Sequence, residues 1–283
     1  MWPVCRLRLN SDGYVKELYA FEPGQERNGS VCIRRFVSRV PPGKVMALLD
    51  RFDLAILGLL AACVGENQQF HAAMLALAQC DFAQGIFLVM LFWFAWWHTS
   101  PQEPPARQEE RRQTLSLVLL TSLVVVLLSR ALQSVLAVHR HPPGLEAGQI
   151  AHLRDAMELG PWGSFPSSHA ILFFSLAVGL CWVNRRVGLL ALAWCAGMIE
   201  FPRLYLGQHY PSDVMAGAVF GIGCMLAVLS LPLEQTRARL DLWRTRHPGS
   251  FYAGAFWITC EFAHLFSQSR NAAGLAFNLL APH

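Results

Sequence analysis

Long apolar segments separated by short polar connections dominate the pattern along this chain. Helices that cross a bilayer need ~20 mostly apolar residues, and five segments approach that length: 82–98, 114–138, 167–183, 187–206 and 213–233. Two further apolar stretches, 53–64 and 251–266, are shorter or carry charge, and each is compatible with a span, a re-entrant piece or an interfacial helix. The pattern therefore predicts an all-α, polytopic membrane bundle of about six transmembrane helices.

The same pattern divides the chain into three parts. Residues 1–45 are polar and rich in Gly and Pro, which predicts a poorly ordered N-terminal extension without the features of a cleavable signal peptide. Residues 46–234 form the predicted membrane domain, with its polar motifs between 130 and 213. Residues 235–283 are predicted to form a basic loop and a C-terminal membrane or interfacial helix.

Composition and charge narrow the class of protein. Apolar residues make up 54% of the chain and charged residues only 15%, which is unusual for a soluble domain and typical of an integral membrane protein. The net charge of +4 is spread along the chain, so nucleic acid is not an expected partner. The cysteines lack C-x-x-C pairs and zinc spacing, and we predict that they are buried apolar residues.

Arginine is the only permanent cation in the predicted membrane domain, because the only lysines are Lys16 and Lys44. Arginines concentrate in the connections 101–113, 185–186 and 235–247, and these alternate with two motif-bearing connections, 139–166 and 203–212. Short cytoplasmic loops of membrane proteins carry an excess of Arg and Lys. The alternation predicts that the basic connections face the cytoplasm and the motifs face outward.

The sequence RLYLGQHYPSD places chemically active side chains ahead of the last predicted span. Pro211 suits the first turn of a helix, which puts Asp213 in that turn. A carboxylate at this position can accept a hydrogen bond from the His209 imidazole, fixing its tautomer and leaving Nε2 as a nucleophile or base. Arg203 can present a planar fork to an oxyanion.

The sequence PSSH repeats this arrangement at the start of the segment 167–183. Ser167, Ser168 and the N–H groups of a helix N-terminus favour an anion such as phosphate, and His169 beside them can act as an acid. A third polar cluster, HRHPP at 139–143, follows the 114–138 segment. Two helix N-termini, two histidines and several arginines on one face predict a phosphate-ester site that needs no metal.

Each cluster also has a simpler structural interpretation. PSSH alone can be a serine N-cap, and the spacing from Arg203 to Asp213 alone can be a loop held by an ion pair. The combination of these clusters in order, each at a predicted helix end on one face of the membrane, favours the functional interpretation.

These residues resemble the type 2 phosphatidic acid phosphatase family, which shares a fold with vanadium haloperoxidases and bacterial class A acid phosphatases. The family carries three blocks, K-x6-R-P, P-S-G-H and S-R-x5-H-x3-D. The second is similar to PSSH here, with Ser168 in place of Gly, and the third is similar to PRLYLGQHYPSD, with Pro202 in place of Ser. The resemblance covers about residues 114–233.

The first block departs from the family pattern. Counting back from Arg140 places Gln133 where the family has lysine, and His141 stands before the proline. Another register would use His139 or His141, with Arg130 as an alternative cation. The family lysine is absent in every register.

The resemblance implies a role for each matching residue. His209 would attack phosphorus while Asp213 holds it, and His169 would protonate the leaving oxygen and later activate water. The phosphate oxygens would be bound by the remaining residues at the motif positions, Arg203, Arg140, Ser167, Ser168 and Gln133. No cofactor or metal is implied.

The function implied is hydrolysis of a lipid phosphate or an isoprenyl diphosphate such as undecaprenyl diphosphate, with phosphatidate and phosphatidylglycerol phosphate as alternatives. The expected location is a bacterial inner membrane with the active site facing the periplasm, and the expected partners are the lipid substrate and membrane lipids. A lipid or sugar phosphotransferase and an inactive structural or transport protein of the same fold are the alternatives. The sequence leaves the oligomeric state open.

Overall fold

A computed structural model describes residues 4–9, 15–21, 44–64, 67–99, 102–135 and 165–265. The first two segments, β1 (Val4–Leu9) and β2 (Val15–Phe21), pair antiparallel as a hairpin. The hairpin lies in the N-terminal extension, for which the sequence analysis predicts no regular structure. From Lys44 onward the described regular structure is helical, as the all-α prediction requires.

The described helices follow one another with short connections on either side of residues 136–164, which lie outside the described part of the chain. They are α1 (Lys44–Val64), α2 (Gln68–Gln79), α3 (Phe87–Trp97), α4 (Pro105–Val135), α5 (Ser168–Val183), α6 (Arg185–Trp194), α7 (Phe201–Tyr205), α8 (Pro211–Ser230), α9 (Glu234–Arg246) and α10 (Pro248–Ala263). Two π-helical turns, Phe82–Ile86 and Cys195–Glu200, lead directly into α3 and α7. Such turns widen a helix locally and are frequent near functional sites.

Three helical runs are long and apolar enough to cross a membrane: Pro105–Ala131, Arg185–Tyr205 and Pro211–Ser230. A fourth span is available if α2 and the run Phe82–Trp97, which meet at an angle of 68°, are counted together as a broken span. Within the part of the chain that the structure describes, the predicted number of about six spans is therefore not confirmed. Helices α1 and α10 contain most of the two segments for which the sequence leaves open a span, a re-entrant piece or an interfacial helix.

Helix α5 forms the centre of the bundle. It is apolar on all sides, and a helix of that kind is stable only when it is surrounded. Its side chains from Ile171 to Phe173 are at most 1% exposed, and it packs against α4, α6 and α8. Large apolar side chains such as Val219 and Phe256 are instead exposed on the outer helices, as expected for surfaces that contact lipid.

Two glycines of α8 allow its backbone to touch that of α5. A Cβ atom built on Gly217 would lie 2.6 Å from the Ser167 carbonyl oxygen, and one on Gly221 would lie 2.3 Å from that of Ile171. Small residues spaced four apart permit this kind of close approach between membrane helices. Gly217 and Gly221 therefore determine how closely α5 and α8 approach each other, and we call this contact the glycine seam.

We expect Gly221→Ala to destabilise the protein and Gly223→Ala, on the same helix, to stabilise it. Nothing lies within 4 Å of a Cβ built on Gly223, whereas the added methyl at Gly221 would displace backbone. The expected changes in the free energy of unfolding are a loss of about 1–3 kcal/mol for Gly221→Ala and a gain of up to about 1 kcal/mol for Gly223→Ala. Thermal unfolding in one detergent measures both, and equal melting temperatures would contradict this packing.

Two of the three basic connections, 101–113 and 235–247, meet at one end of the bundle, opposite the ends of α5 and α8 that carry the polar motifs. Arg244 on α9 forms an ion pair with Glu109 on α4, and the Arg237 guanidinium donates to the Thr114 hydroxyl at 3.1 Å. The gathering of these arginines agrees with their predicted location on one side of the membrane. The assignment of that side to the cytoplasm remains a prediction.

The segment that the sequence analysis predicts as a basic loop is helical in the structure, as α9. It contains neither Gly nor Pro between Glu234 and Arg246. An acidic residue in its first turn and Arg244 and Arg246 in its last turn both oppose the charges of the helix dipole. The loop prediction was wrong because it was based on the high charge of the segment and did not consider the charged residues that favour helix ends.

Candidate active site

Helix α7 ends in a turn that positions His209. Gly207 has φ of 69°, a left-handed conformation that glycine adopts without strain. The Gly207 N–H donates to the Leu204 carbonyl at 3.1 Å, and the Gln208 N–H donates to the Arg203 carbonyl at 2.9 Å. This pair of hydrogen bonds is the Schellman arrangement, and it places His209 in the short connection before α8.

The start of α8 agrees with the sequence prediction. Pro211 is its first residue, and Asp213 lies in its first turn. The Asp213 side chain is fully buried, and its Oδ2 accepts a hydrogen bond from the Tyr210 N–H at 3.0 Å. The predicted pairing of His209 with Asp213 stays a prediction.

A second carboxylate, Asp53 of α1, also binds the start of α8. Its Oδ1 accepts from the Ser212 N–H at 2.8 Å and its Oδ2 from the Ser212 hydroxyl at 2.6 Å. Asp53 is fully buried. The sequence predicts two helix N-termini at the phosphate site. At the start of α8, however, the backbone N–H groups already donate to the carboxylates of Asp213 and Asp53, so only the N-terminus of α5 is left as a candidate.

The N-terminus of α5 lies directly beside the start of α8. Ser167 is the N-cap of α5, and its Oγ accepts from the Ala170 N–H at 3.4 Å. The Ser167 N–H donates to the Asp213 carbonyl at 3.1 Å. This backbone bond joins the PSSH motif to the third motif, as the predicted common site requires.

The first turn of α5 also carries the predicted acid. Ser168 is buried, and His169 is half-buried, with its ring centroid 6.2 Å from that of Phe173. His169 therefore lies on the same helical turn whose cap contacts Asp213. The predicted acid therefore lies on the helical turn next to the motif that carries the predicted nucleophile.

Arg203 is buried at the end of α7, with 4% of its surface exposed. Its Nη1 donates to the Ile199 carbonyl at 3.4 Å, and its Nη2 donates to the Gln84 amide oxygen. Gln84 lies in the π turn before α3, and its own amide N–H₂ donates to the Ala78 carbonyl. Two elements therefore fix the guanidinium predicted to bind phosphate.

Glu200 is a buried carboxylate close to this arginine. It is 2% exposed, and neither of its oxygens has a hydrogen-bond partner in the described part of the chain. Arg203 follows Glu200 three positions later in the same helical run. A carboxylate that the sequence does not predict as a site residue thus lies near the arginine predicted to bind phosphate.

Two predicted site residues cannot be compared with this geometry. Arg140, like His139 and His141, lies outside the described residues, and Gln133 is described only as part of the α4 backbone. No group of three or more His, Cys, Asp or Glu side chains suited to a metal ion occurs among the described side chains.

Sequence reasoning missed Asp53, Gln84 and Glu200. All three are polar residues at or inside predicted apolar segments, where an ionisable or amide side chain is costly and commonly functional. That signal was available for each of them. The sequence does not show which partner each of them contacts, because a partner can lie far away along the chain. Asp53 and Ser212, for example, are 159 positions apart.

The comparisons with known proteins match the part of the chain that contains the second and third motifs. Residues 115–237 match the PAP2 superfamily. A bacitracin transport permease protein of Bacillus licheniformis is 43% identical over 59 residues, covering 21% of this chain and 29% of the relative. A putative undecaprenyl-diphosphatase of Escherichia coli is 41% identical over 66 residues, covering 23% of this chain and 33% of the relative.

A longer match is to a lipid A 1-phosphatase of Rhizobium johnstonii, 35% identical over 101 residues, which cover 35% of this chain and 38% of the relative. The chain thus spans about a third of the length of the curated relatives that it matches. No solved structure matches the chain.

Proposed function

We propose that this chain, whose residues 115–237 match the PAP2 superfamily, is a membrane-bound phosphatase that hydrolyses a lipid phosphate or diphosphate. The observation that carries the proposal is the hydrogen bond from the Ser167 N–H to the Asp213 carbonyl at 3.1 Å. It joins the N-terminus of α5, with its predicted acid, to the first turn of α8, which follows the connection that contains the predicted nucleophile.

The reaction proceeds in two displacements on phosphorus. The His209 Nε2 lone pair attacks phosphorus, the bond from phosphorus to the leaving oxygen breaks, and His169 gives its proton to that oxygen. A phosphohistidine results. Neutral His169 then takes a proton from water, whose oxygen attacks phosphorus, and the P–N bond breaks to release phosphate and restore His209.

Asp213 is proposed to hold the His209 tautomer and to stabilise the imidazolium. Its burial favours this role, because a charge interaction is stronger away from bulk water. The same carboxylate caps Tyr210 through Oδ2, so it is itself held in place. One side chain thereby couples the start of α8 to the nucleophile.

Charge on the equatorial phosphate oxygens is proposed to be stabilised by Arg203 and by the first turn of α5. The Ser167 hydroxyl accepts from Ala170 and keeps its own hydrogen to donate to phosphate. Ser168 contributes backbone, and Arg140 and Gln133 contribute from the first block. These donors perform the task that metal ions perform in other phosphoryl-transfer enzymes, so the proposed mechanism needs no metal.

Undecaprenyl diphosphate is the first proposed substrate, and phosphatidate and phosphatidylglycerol phosphate are the next. The motif-bearing ends of α5 and α8 lie opposite the end that gathers Arg237 and Arg244. If the arginine-rich end faces the cytoplasm, the site opens to the periplasmic side of a bacterial inner membrane. Lipid carriers and glycerophospholipids both present a phosphate there.

The proposal is tested by phosphate release from a panel of lipid phosphates by the purified protein in excess EDTA. The panel contains undecaprenyl diphosphate, phosphatidate, phosphatidylglycerol phosphate and lipid A. We expect turnover that EDTA does not reduce and, with ³²P-labelled substrate and rapid acid-free quenching, label on His209. Turnover that EDTA abolishes, or label on another residue, would contradict the mechanism.

The same assay separates the alternatives. A phosphotransferase would pass the label to an added lipid or sugar hydroxyl in preference to water. A structural or transport protein would release no phosphate and trap no label on any member of the panel.

A further inference from the structure

We propose that Asp53 and Gln84, which precede the family domain 115–237, are positioning residues that hold the two ends of the third motif. The proposal rests on the proposed function. It adds that the site depends on α1 and on the broken span formed by α2 and the run Phe82–Trp97, which we call the bent unit. Asp53 acts through Ser212 and Gln84 acts through Arg203. Neither is proposed to touch the substrate.

Asp53 binds the first turn of α8 with both of its oxygens. The distances of 2.8 Å to the Ser212 N–H and 2.6 Å to the Ser212 hydroxyl describe two well-formed hydrogen bonds to a charged acceptor. The positive end of the helix dipole stabilises the same carboxylate. Since Ser212 directly precedes Asp213, this contact fixes the turn on which the proposed orientation of His209 depends.

Gln84 binds the other end of the motif. Its amide oxygen accepts from the Arg203 Nη2, while its amide nitrogen donates to the Ala78 carbonyl of α2. The Gln84 amide therefore cannot rotate freely, and it sets the plane of the guanidinium. A planar fork binds a phosphate well only when that plane is correctly aimed.

The two contacts predict different kinetic defects. Loss of the Asp53 charge disturbs the nucleophile, which acts in the transition state and not in binding, so kcat falls while KM changes little. Loss of the Gln84 amide disturbs the phosphate-binding arginine, so affinity for phosphate falls. If either residue had only a structural role, its replacement would not affect kcat and phosphate affinity separately in this way.

The experiment compares Asp53→Asn and Gln84→Met with the wild-type full chain in the same detergent, with phosphate release from the preferred lipid of the panel as the assay. For Asp53→Asn we expect kcat to fall about tenfold or more, with KM within about twofold. For Gln84→Met we expect the inhibition constant of inorganic phosphate to rise about tenfold. Gln84→Glu keeps an acceptor for Arg203, and we expect it to restore most of that affinity.

Asp241→Asn is the matched control. Asp241 also accepts a hydrogen bond in an ion pair, from Arg244 Nε at 3.0 Å, but it lies on α9 at the opposite end of the bundle. Its replacement should leave kcat and phosphate inhibition within about twofold of wild type. Unchanged kinetics in both Asp53→Asn and Gln84→Met, or equal losses in the control, would overturn the inference.

Hydrogen–deuterium exchange separates this inference from the proposed function. We expect faster exchange over residues 209–213 in Asp53→Asn than in the Asp241→Asn control. If the wild type releases no phosphate and traps no label, the proposed function fails, and the exchange result still decides whether Asp53 holds this turn. Active wild type with unchanged exchange and unchanged kcat in Asp53→Asn refutes the positioning role alone.

Discussion

His209→Ala is expected to lower the rate of phosphate release at least about 10⁴-fold, because removal of a nucleophile leaves only binding and electrostatic stabilisation. The residue lies in the connection fixed by the left-handed turn at Gly207, so its replacement removes an imidazole without altering a helix. The labelled phosphoprotein should disappear together with the activity. KM or the affinity for inorganic phosphate should change far less, because Arg203 and the first turn of α5 remain.

His247→Ala is the control for this prediction. His247 is an exposed histidine at the end of α9, and it lies with that helix at the arginine-rich end of the bundle. Its replacement should leave the rate within about twofold of wild type. Retention of more than about a hundredth of the wild-type rate by His209→Ala would show that another group attacks phosphorus.

His169→Asn is expected to slow hydrolysis of a lipid phosphate monoester such as phosphatidate by about 10²- to 10⁴-fold, the usual contribution of a general acid. The size of the loss should depend on the leaving group. A lipid alkoxide must be protonated as it departs, whereas the phenolate released from p-nitrophenyl phosphate is stable without a proton. With the aryl substrate we expect the first step to lose less than about tenfold.

The burst of p-nitrophenolate separates these steps, because it reports formation of the phosphoenzyme before water attacks. In His169→Asn the burst should persist while the following steady rate falls, since the same residue activates water in the second step. An equal loss with both leaving groups would mean that His169 serves only to hold the first turn of α5.

Local features of the fold could be predicted from the sequence. The apolar segments between 82 and 233 identify α3, α4, α5, α6 and α8, because spans of this length must form internally hydrogen-bonded helices. Pro211 marks the start of α8 for an equally local reason, its fixed φ. The third motif likewise indicates its own site, since its chemistry is contained within eleven consecutive residues.

Contacts between distant segments could not be predicted in this way. No periodicity relates Asp53 to Ser212 or Gln84 to Arg203, so the contribution of α1 and of the bent unit to the site appears only in three dimensions. The π turns were missed as well, because a single widened turn leaves the apolar pattern unchanged. Helix α2 was missed because its polar residues, such as Gln68 and Gln79, interrupt the apolar run at both ends.

The glycine seam between α5 and α8 limits the route by which the proposed lipid substrate would reach the site. A hydrocarbon tail is wider than the gap, because even one methyl group on Gly221 would overlap the Ile171 carbonyl. A substrate whose phosphate lies at the N-terminus of α5 must therefore extend its tail along another side of the bundle. Enlarging a tail-binding groove by mutation would have to begin on helices other than these two.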